Sequence, residues 1–160
     1  MYIDHLNSPV GLIELQAQAS GLHKVSIVKE AKENVNPNSI TEEGKNQLRQ
    51  YFNGEITTFN LPYLLESGSE FYQKVWKILQ NIPYGKTVTY LDIARQLGDP
   101  NATRAVGMAN GKNPIAICIP CHRVIGSNGS LTGYAYGTKI KRQLLSLENP
   151  KEYAINGELF

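Results

Sequence analysis

The residues with the clearest chemical potential are Cys121, His122 and Arg123, which follow Pro120 directly in the chain. A cysteine attacks as its thiolate, and a free thiol with a pKa of about 8.5 is only a few per cent ionised at neutral pH. A neighbouring imidazole or guanidinium lowers that pKa. Proline at position 120 disfavours a helix that simply continues through the cysteine. The sequence therefore predicts a partly buried nucleophilic cysteine. The plainer alternative is a structural cysteine followed by surface polar residues.

Composition places the chain among ordinary globular proteins of one or two domains, with 160 residues, 41% hydrophobic and 19% charged. Two cysteines only three positions apart cannot cross-link a secreted scaffold. No stretch approaches about 18 consecutive apolar residues, and the N-terminus lacks the regions of a signal peptide. We expect a cytoplasmic monomer with no membrane partner.

Charge is divided unevenly along the chain. Residues 1–66 contain five Lys and Arg against eight acidic residues, whereas residues 67–160 contain eleven against six. The net charges are therefore −3 and +5. The half that contains Cys121 is the half suited to a polyanionic partner.

The N-terminal part, residues 1–66 with its linker, is predicted to be a small α/β domain. Two segments typical of strands, residues 10–17 and 22–28, flank a Ser20-Gly21 turn and predict an antiparallel hairpin. Ser39, with Glu42 three residues later, has the spacing of a capping box that opens a helix.

Residues 67–160 are predicted to form a mainly helical domain. Ser69 precedes apolar residues at helical spacing, and Thr89 with Asp92 matches another capping box. Two short helices at residues 90–97 and 102–111, joined by a tight turn, predict a helix-turn-helix. The second of these helices is rich in alanine and glycine. Such a helix suits either a close approach to the narrow minor groove of DNA or a tight helix–helix contact.

The last predicted helix, residues 138–148, ends on an acidic residue. Glu148 falls in line with Ile140 and Leu144 on the apolar face. A negative charge at a helix C-terminus is disfavoured by roughly 0.3–1 kcal/mol. We therefore expect a specific partner for this carboxylate, the alternative being a frayed, solvated helix end.

Three motifs together identify a family. Pro120-Cys121-His122-Arg123-Val124, Arg104-Ala105-Val106-Gly107 and Asn113-Pro114 resemble the O6-alkylguanine-DNA alkyltransferases, over about residues 71–148. The resemblance implies a small N-terminal α/β domain with an antiparallel sheet, plus a mainly helical, winged-helix-like C-terminal domain containing the helix-turn-helix. It also implies irreversible transfer of an alkyl group, typically methyl, from O6 of guanine in duplex DNA to the protein, one turnover per molecule.

Site residues follow from the same resemblance. Cys121 is expected to accept the alkyl group, and His122 to act as its base through a water molecule. Glu148 is expected to orient His122, and Asn113 to tie the helix-turn-helix to the active-site loop. The other implied residues are the DNA-contacting and base-flipping set Arg104, Tyr90, Ala102, Thr103, Ala105 and Asn110, and the pocket set Val124, Tyr134, Ala135 and Tyr136.

This chain departs from parts of the family pattern. Tyr136 stands where some members have glycine, which predicts a tighter pocket. The cysteines that hold zinc in some N-terminal domains are absent, and His5 and His23 alone are too few. We therefore expect no metal and no cofactor.

Other functions remain as alternatives. Cys118-Ile119-Pro120-Cys121 matches the C-x-x-C of thiol–disulfide oxidoreductases, although its helical surroundings are unlike theirs. A zinc deaminase would need a His-x-Glu motif, which none of the three histidines forms. A cysteine protease would need a distant histidine as its base, and neither His5 nor His23 lies in a supporting motif. The non-enzyme alternative is a winged-helix protein that senses lesions or regulates transcription by binding DNA alone.

Overall fold

The computed structural model describes residues 1–32 and 34–153. The chain divides into two compact units. One consists of Met1–Glu66 together with Pro114–Cys118, and the other of Ser67–Asn113 together with the described residues 119–153. The short return of the chain to the first unit at residues 114–118 is a feature that the sequence patterns did not predict.

A three-stranded antiparallel sheet forms the centre of the first unit. Its strands are β1 (Tyr2–Ser8), β2 (Gly11–Gln18) and β3 (Gly21–Val28), in that spatial order. The predicted hairpin is present as the β2–β3 pair. The central strand directs three fully buried apolar side chains to one face, as the alternation of a strand requires; these are Ile13, Leu15 and Ala17.

The outer edge of β3 is covered by two other segments. Leu22 exchanges backbone hydrogen bonds with residues 62–64, and Val25 exchanges them with Pro114 and Ala116, all at 2.7–2.9 Å. These bonds satisfy backbone groups that an exposed edge strand would leave unpaired.

Helix α1 (Ser39–Phe52) begins at Ser39, so its N-cap, Asn38, lies one residue before the predicted cap. The Asn38 side chain accepts from the Thr41 backbone N–H at 2.9 Å, and the Asn38 backbone N–H donates to the Thr41 hydroxyl at 2.9 Å. The capping box is therefore Asn38 with Thr41, and the Ser39–Glu42 prediction was wrong. Asn38 adopts the extended backbone that an N-cap needs, whereas Ser39 is already helical.

In the second unit, α2 (Glu70–Leu79) starts at the predicted cap Ser69, whose hydroxyl accepts from the Tyr72 backbone N–H. Its buried Trp76 donates the indole N–H to the Ala109 carbonyl at 2.8 Å. Ala109 lies in the second helix of the helix-turn-helix, so this bond fixes α2 against that motif.

The helix-turn-helix begins after the short strand β4 (Val88–Thr89). Helix α3 (Tyr90–Gln96) has the predicted capping box, with Thr89 and Asp92 bonded reciprocally at 2.9 and 3.0 Å. After a 3-10 turn at Pro100–Ala102, helix α4 (Thr103–Gly111) packs against both α3 and α2.

Cys121–Arg123 form a 3-10 turn, which leads into β5 (Val124–Ile125). Strand β5 pairs in parallel with β4, so the segment after the cysteine is fixed to the start of the helix-turn-helix. Helix α5 (Thr138–Glu148) has its predicted bounds, and a short α6 (Pro150–Tyr153) follows. The β4–β5 pair and α6 were not predicted from the sequence.

Two properties concern the described residues as a whole. None of their helices has the length and apolar character needed to span a bilayer. Within residues 1–32 and 34–153, no three His, Cys, Asp or Glu side chains converge as a metal site would require.

The two candidate caps of α1 can be separated by experiment. We expect Asn38→Ala to lower the free energy of unfolding by about 1 kcal/mol, because a backbone N–H of the first turn loses its acceptor. Ser39→Ala is the matched control and should lie within about 0.5 kcal/mol of the parent. Urea unfolding of both variants provides the measurement. A larger loss for Ser39→Ala would contradict the observed cap.

Candidate functional site

Two tight turns bring the chain to the cysteine. The Cys118 N–H donates to the Ala116 carbonyl at 2.7 Å, with Ile117 between them at a φ of 70°. A β-branched residue at positive φ is an outlier that costs on the order of 1–3 kcal/mol. The Cys121 N–H then donates to the Ile119 carbonyl at 2.8 Å around Pro120. Pro120 has φ −82° and ψ 64°, which is the inverse γ-turn. The nucleophile thus follows two successive γ-turns.

Cys121 is buried on its 3-10 turn. Burial raises the pKa of its thiol, while a hydrogen bond from Asn113 and the positive charge of Lys141 act to lower that pKa. The sequence analysis expected His122 and Arg123 to lower the thiol pKa. The structure instead assigns this effect to Asn113 and Lys141, because the other two side chains are engaged by Glu148.

Asn113 also fixes the backbone of the active-site turn. Its amide donates to the Ile119 carbonyl at 2.8 Å. Asn113 directly follows the helix-turn-helix, so this bond joins that motif to the cysteine loop. This geometry supports the positioning role expected for Asn113.

Glu148 is the centre of a buried polar cluster. Its carboxylate accepts from His122 Nε2 at 2.7 Å, and from Arg123 Nε and a terminal guanidinium nitrogen at 2.8 and 3.0 Å. The Glu148 side chain is only 1% exposed. Although burial alone would raise it, the pKa of Glu148 is held well below its usual range by His122 and Arg123. The partner expected for this C-terminal carboxylate is therefore a pair of side chains.

This contact determines which nitrogen of His122 carries the proton. An ionised carboxylate only accepts hydrogen bonds, so Nε2 is the protonated nitrogen. His122 Nδ1 is buried and has no hydrogen-bond partner among the described residues. The ring is therefore oriented by Glu148, with Nδ1 on its other side.

Arg123 has a structural task. Besides its two bonds to Glu148, it donates to the Ile82 carbonyl at 2.6 Å, and its guanidinium lies 5.7 Å from the centre of the Tyr84 ring. A bidentate guanidinium–carboxylate pair combines charge neutralisation with fixed geometry. Arg123 thereby allows a carboxylate to be buried at the end of α5.

Residues 84 and 85 contact the C-terminal end of α5. The Tyr84 hydroxyl donates to the Leu147 carbonyl at 3.4 Å, and the Gly85 N–H approaches Glu148 Oε1 at 3.5 Å. The Asn149 amide donates to the Gly85 carbonyl at 3.2 Å. Gly85 has a φ of 79°, which favours glycine at this turn.

Lys141 is a site residue that the sequence analysis missed. It is fully buried, and its ammonium donates to the carbonyls of Val124 and Thr132 at 2.5 and 3.1 Å. Burial lowers the pKa of Lys141 to about 8, against an opposing effect of Cys121. A signal was present in the sequence: positions 141, 144, 145 and 148 share one helix face, and this is the face that is buried.

Tyr90 crosses from α3 to the loop before α5. Its hydroxyl donates to the Thr132 carbonyl at 3.1 Å, and its ring lies 5.8 Å from the Lys141 ammonium. A Cβ atom at Gly133 would come within 2.8 Å of the Tyr90 hydroxyl, so glycine is needed for this approach. Tyr90 is thus held close to Cys121, whose charge contributes to raising the Tyr90 pKa after burial.

The four predicted pocket residues differ in exposure. Val124 is buried; its N–H bonds the Cys121 carbonyl, and its own carbonyl accepts from Lys141. Tyr134 is also buried, and its hydroxyl has no partner within the described part of the chain. Ala135 is exposed, and Tyr136 is half-buried with its ring edge-on to Tyr134 at 5.6 Å.

The predicted DNA-contacting residues of α4 divide into two groups. Arg104 and Ala105 are exposed, while Ala102 and Thr103 are half-buried at the start of the helix. Asn110 is only 2% exposed and donates its amide to the Cys121 carbonyl at 3.3 Å. Asn110 therefore does not face solvent as a DNA contact would, because its position on α4 points toward the cysteine turn.

Cys118 has no part in this arrangement. It is a buried free thiol in the first unit, and burial raises its pKa strongly. Cys121 is also a free thiol in the structure. A buried, protonated cysteine is a poor redox partner, which argues against the oxidoreductase alternative.

The Glu148 cluster predicts a pH dependence of stability. A carboxyl group whose folded pKa is depressed stabilises the fold fully above its unfolded pKa, and this stabilisation is lost progressively as the pH falls from that value through the folded pKa. We expect the free energy of unfolding to decrease below about pH 4.3. Glu148→Gln should reduce that slope and cost about 3–5 kcal/mol at neutral pH, since Arg123 and His122 lose their counter-charge.

Urea unfolding between pH 3 and 7 measures both effects. Glu152→Gln, which alters an exposed carboxylate on α6, serves as the control and should keep the parent's slope. If Glu148→Gln and its parent lose stability in parallel on acidification, Glu148 is not the responsible group.

The environment of Cys121 predicts an effect of Lys141 on thiol reactivity. We expect Lys141→Met to slow alkylation of Cys121 by iodoacetamide at neutral pH, because the thiolate loses a nearby positive charge. The difference from the parent should shrink above pH 8, where Lys141 itself loses its proton.

Peptide mass spectrometry distinguishes alkylation of Cys121 from that of Cys118 in this experiment. Lys139→Met removes an exposed charge from the same helix and should react like the parent. Superimposable pH profiles for Lys141→Met and the parent would contradict the proposed influence of Lys141.

Comparison with known proteins agrees with this geometry. Residues 1–65 match the family model described as "6-O-methylguanine DNA methyltransferase, ribonuclease-like domain", and residues 70–150 match "6-O-methylguanine DNA methyltransferase, DNA binding domain". A methylated-DNA–protein-cysteine methyltransferase of Methanosarcina acetivorans is 48% identical over 154 residues, covering 92% of this chain and 98% of the relative.

Solved structures give the same result. Mycobacterium tuberculosis OGT in complex with DNA is similar with a TM-score of 0.85 and 43% identity, covering 94% of each chain. An O6-methylguanine DNA methyltransferase from Methanococcus jannaschii has a TM-score of 0.67 and 27% identity, covering 98% of this chain and 99% of that one. The buried Cys121, its His122–Glu148 pair and these matches over both parts of the sequence show that the chain belongs to the 6-O-methylguanine DNA methyltransferase family.

Proposed function

We propose that this protein repairs DNA by moving an alkyl group, typically methyl, from O6 of guanine to Cys121, once per molecule. The observation that carries the proposal is the buried Cys121 thiol, followed in the chain by a histidine whose Nε2 is held by Glu148 and whose Nδ1 is unpartnered among the described residues. The same compact unit contains the helix-turn-helix. The relatives named above act on methylated DNA, and one of them is described in complex with DNA.

The first step is removal of the thiol proton. His122 Nδ1 takes the Cys121 proton through one water molecule, and Glu148 stabilises the imidazolium that forms. Lys141 and the Asn113 amide stabilise the thiolate. This network is needed because burial raises the thiol pKa and leaves little thiolate at neutral pH.

The second step is displacement at the alkyl carbon. A bond forms between the Cys121 sulfur and the alkyl carbon while the bond from that carbon to O6 breaks, and the electron pair remains on the guanine. The guanine takes up the proton that His122 received, again through water, so unmodified guanine is restored. The product on the protein is a thioether, and none of the described residues around Cys121 forms a second nucleophilic site that could cleave it. One protein molecule therefore repairs one lesion.

Three residues act by positioning. Asn113 and Asn110 bond the carbonyls of Ile119 and Cys121, so both amides fix the backbone on either side of the sulfur. Arg123 neutralises Glu148. In this proposal Asn110 is a positioning residue, in place of the DNA contact inferred from the sequence.

DNA binding is assigned to α4. Its exposed Arg104 is suited to fill the space left when the damaged nucleotide leaves the stack, and Ala105 permits a close approach to the minor groove. Ala102 and Thr103, at the start of the helix, would lie near the backbone of the duplex. Flipping costs a few kcal/mol, and less where the lesion has weakened pairing.

The flipped base is assigned to the space beside Cys121. Burial and, after it, the charge of Cys121 raise the pKa values of Tyr90 and Tyr134, which supports assigning both to the surroundings of the sulfur. Val124 and Ala135 would offer backbone groups to the guanine edge. Tyr136 narrows this region by its contact with Tyr134, so small alkyl groups are the preferred substrates.

The setting of this activity follows from its chemistry. The acceptor is consumed by oxidation as well as by alkylation, so the protein requires a reducing compartment with access to DNA. We propose the cytoplasm, with the protein acting as a monomer. A DNA-binding protein without transfer activity remains the second candidate, favoured only by the helix-turn-helix itself.

Transfer can be tested directly by mass spectrometry. After incubation with a duplex containing one O6-methylguanine, we expect one added methyl group, about 14 Da, on the peptide that contains Cys121, with a stoichiometry that saturates at one per protein. Cys121→Ser should acquire none. Cys118→Ser is the matched control and should be methylated like the parent, because Cys118 lies outside the site.

The alternative makes the opposite prediction. A protein that only binds DNA would show no mass change at Cys121, while its duplex affinity would be the same in the parent and Cys121→Ser. That pair of results would overturn the proposed function.

A further inference from the structure

The solvent side of α4 carries a row of three long side chains. Arg104, Met108 and Lys112 are spaced by four residues, and all three are exposed. Met108 is 59% exposed and is the one large hydrophobic side chain of the second unit that is strongly exposed within the described residues. An isolated exposed methionine is common on protein surfaces. Met108 differs from such a residue because it lies between two cations on the helix to which DNA binding is assigned.

Met108 contributes little to the fold of its helix. The buried side of α4 consists of Val106, Ala109 and Asn110, and Met108 lies outside that set. Its neighbours on the exposed side are Ala105 and Gly111, both small. The Met108 side chain therefore projects beyond the surface around it, where a polar residue would serve solubility better.

We propose that Met108 is an apolar wedge that enters the minor groove of the duplex beside the flipped nucleotide. This inference rests on the proposed function, in which α4 lies along that groove. Methionine is among the apolar side chains that proteins insert at minor-groove base steps to unstack them. Its unbranched, polarisable side chain adapts to an irregular surface, so the contact is tolerant of sequence.

The spacing of the row matches that of the duplex. Four helical residues advance about 6 Å along the helix axis. Two base-pair steps advance about 6.8 Å. With Arg104 in the space left by the extruded base, Met108 reaches a step about two base pairs away, and Lys112 lies one further turn along, near a phosphate. The three side chains thus have separate tasks: gap filling, unstacking and charge neutralisation.

The test compares Met108→Ala and Met108→Leu with Arg104→Ala, Lys112→Ala and the control Val35→Ala, which shortens an exposed apolar residue in the first unit. The first readout is the ratio of single-turnover methyl-transfer rates on O6-methylguanine in a duplex and on the free modified base. We expect Met108→Ala to lower this ratio about tenfold, as loss of a buried apolar contact would. Met108→Leu should retain most of it, and Val35→Ala all of it.

Two further readouts separate the wedge from a charge effect. The slope of log affinity against log salt should fall by about 0.9 in Lys112→Ala and stay unchanged in Met108→Ala. In a Cys121→Ser background, 2-aminopurine placed two base pairs to either side of the lesion reports unstacking. One of the two positions should brighten with Met108 or leucine present, and neither should with alanine.

The outcomes are distinguishable from failure of the proposed function. If Met108→Ala matches the parent in rate ratio and 2-aminopurine signal while Arg104→Ala is impaired on duplex, the wedge is wrong and the assignment of α4 to DNA stands. If Arg104→Ala and Met108→Ala both match the parent, α4 is not the DNA-binding surface and both proposals fall.

Discussion

The site depends on the burial of one carboxylate in its ionised form. Glu148 occupies a helix C-terminus, where the helix dipole opposes negative charge, and its side chain is almost fully buried. The two bonds from Arg123 and the one from His122 make this arrangement stable. Because those two residues belong to the 3-10 turn that carries Cys121, the same bonds join α5 to the nucleophile. Fold stability and nucleophile orientation therefore share one set of contacts.

Two cations, Arg123 and Lys141, have different roles in the site. Arg123 bonds Glu148 independently of His122, so the carboxylate keeps a cationic partner throughout the proton transfers proposed for His122. Lys141 bonds the carbonyls of Val124 and Thr132, and its positive charge acts to lower the thiol pKa against the effect of burial. Glu148 and the thiol therefore have separate cationic partners.

Sequence reasoning succeeded where a local pattern determines structure. The β2–β3 hairpin, the caps Ser69 and Thr89, the bounds of α5 and the family itself all follow from short motifs. It failed where the environment of a side chain depends on residues far away in the sequence. Lys141 looks like a solvated lysine until its carbonyl partners are known, and Asn110 looks exposed until α4 is packed. At α1, two adjacent residues could each serve as cap, and only the extended backbone of Asn38 selects between them. The division of the chain into two domains, residues 1–66 and 67–160, stays a prediction.

The pairing of the segment Pro114–Cys118 with β3 limits where the chain can be cut into two fragments. The segment bonds the edge of β3 from a position almost ninety residues later in the sequence. A cut at residue 66 would leave the N-terminal fragment with unpaired backbone groups on β3, and the C-terminal fragment with the apolar Ile115 and Ile117 stripped of their native surroundings. Recombination that exchanges the N-terminal half with that of a relative must therefore preserve the match between β3 and this later segment. The two halves are constrained to evolve as a pair.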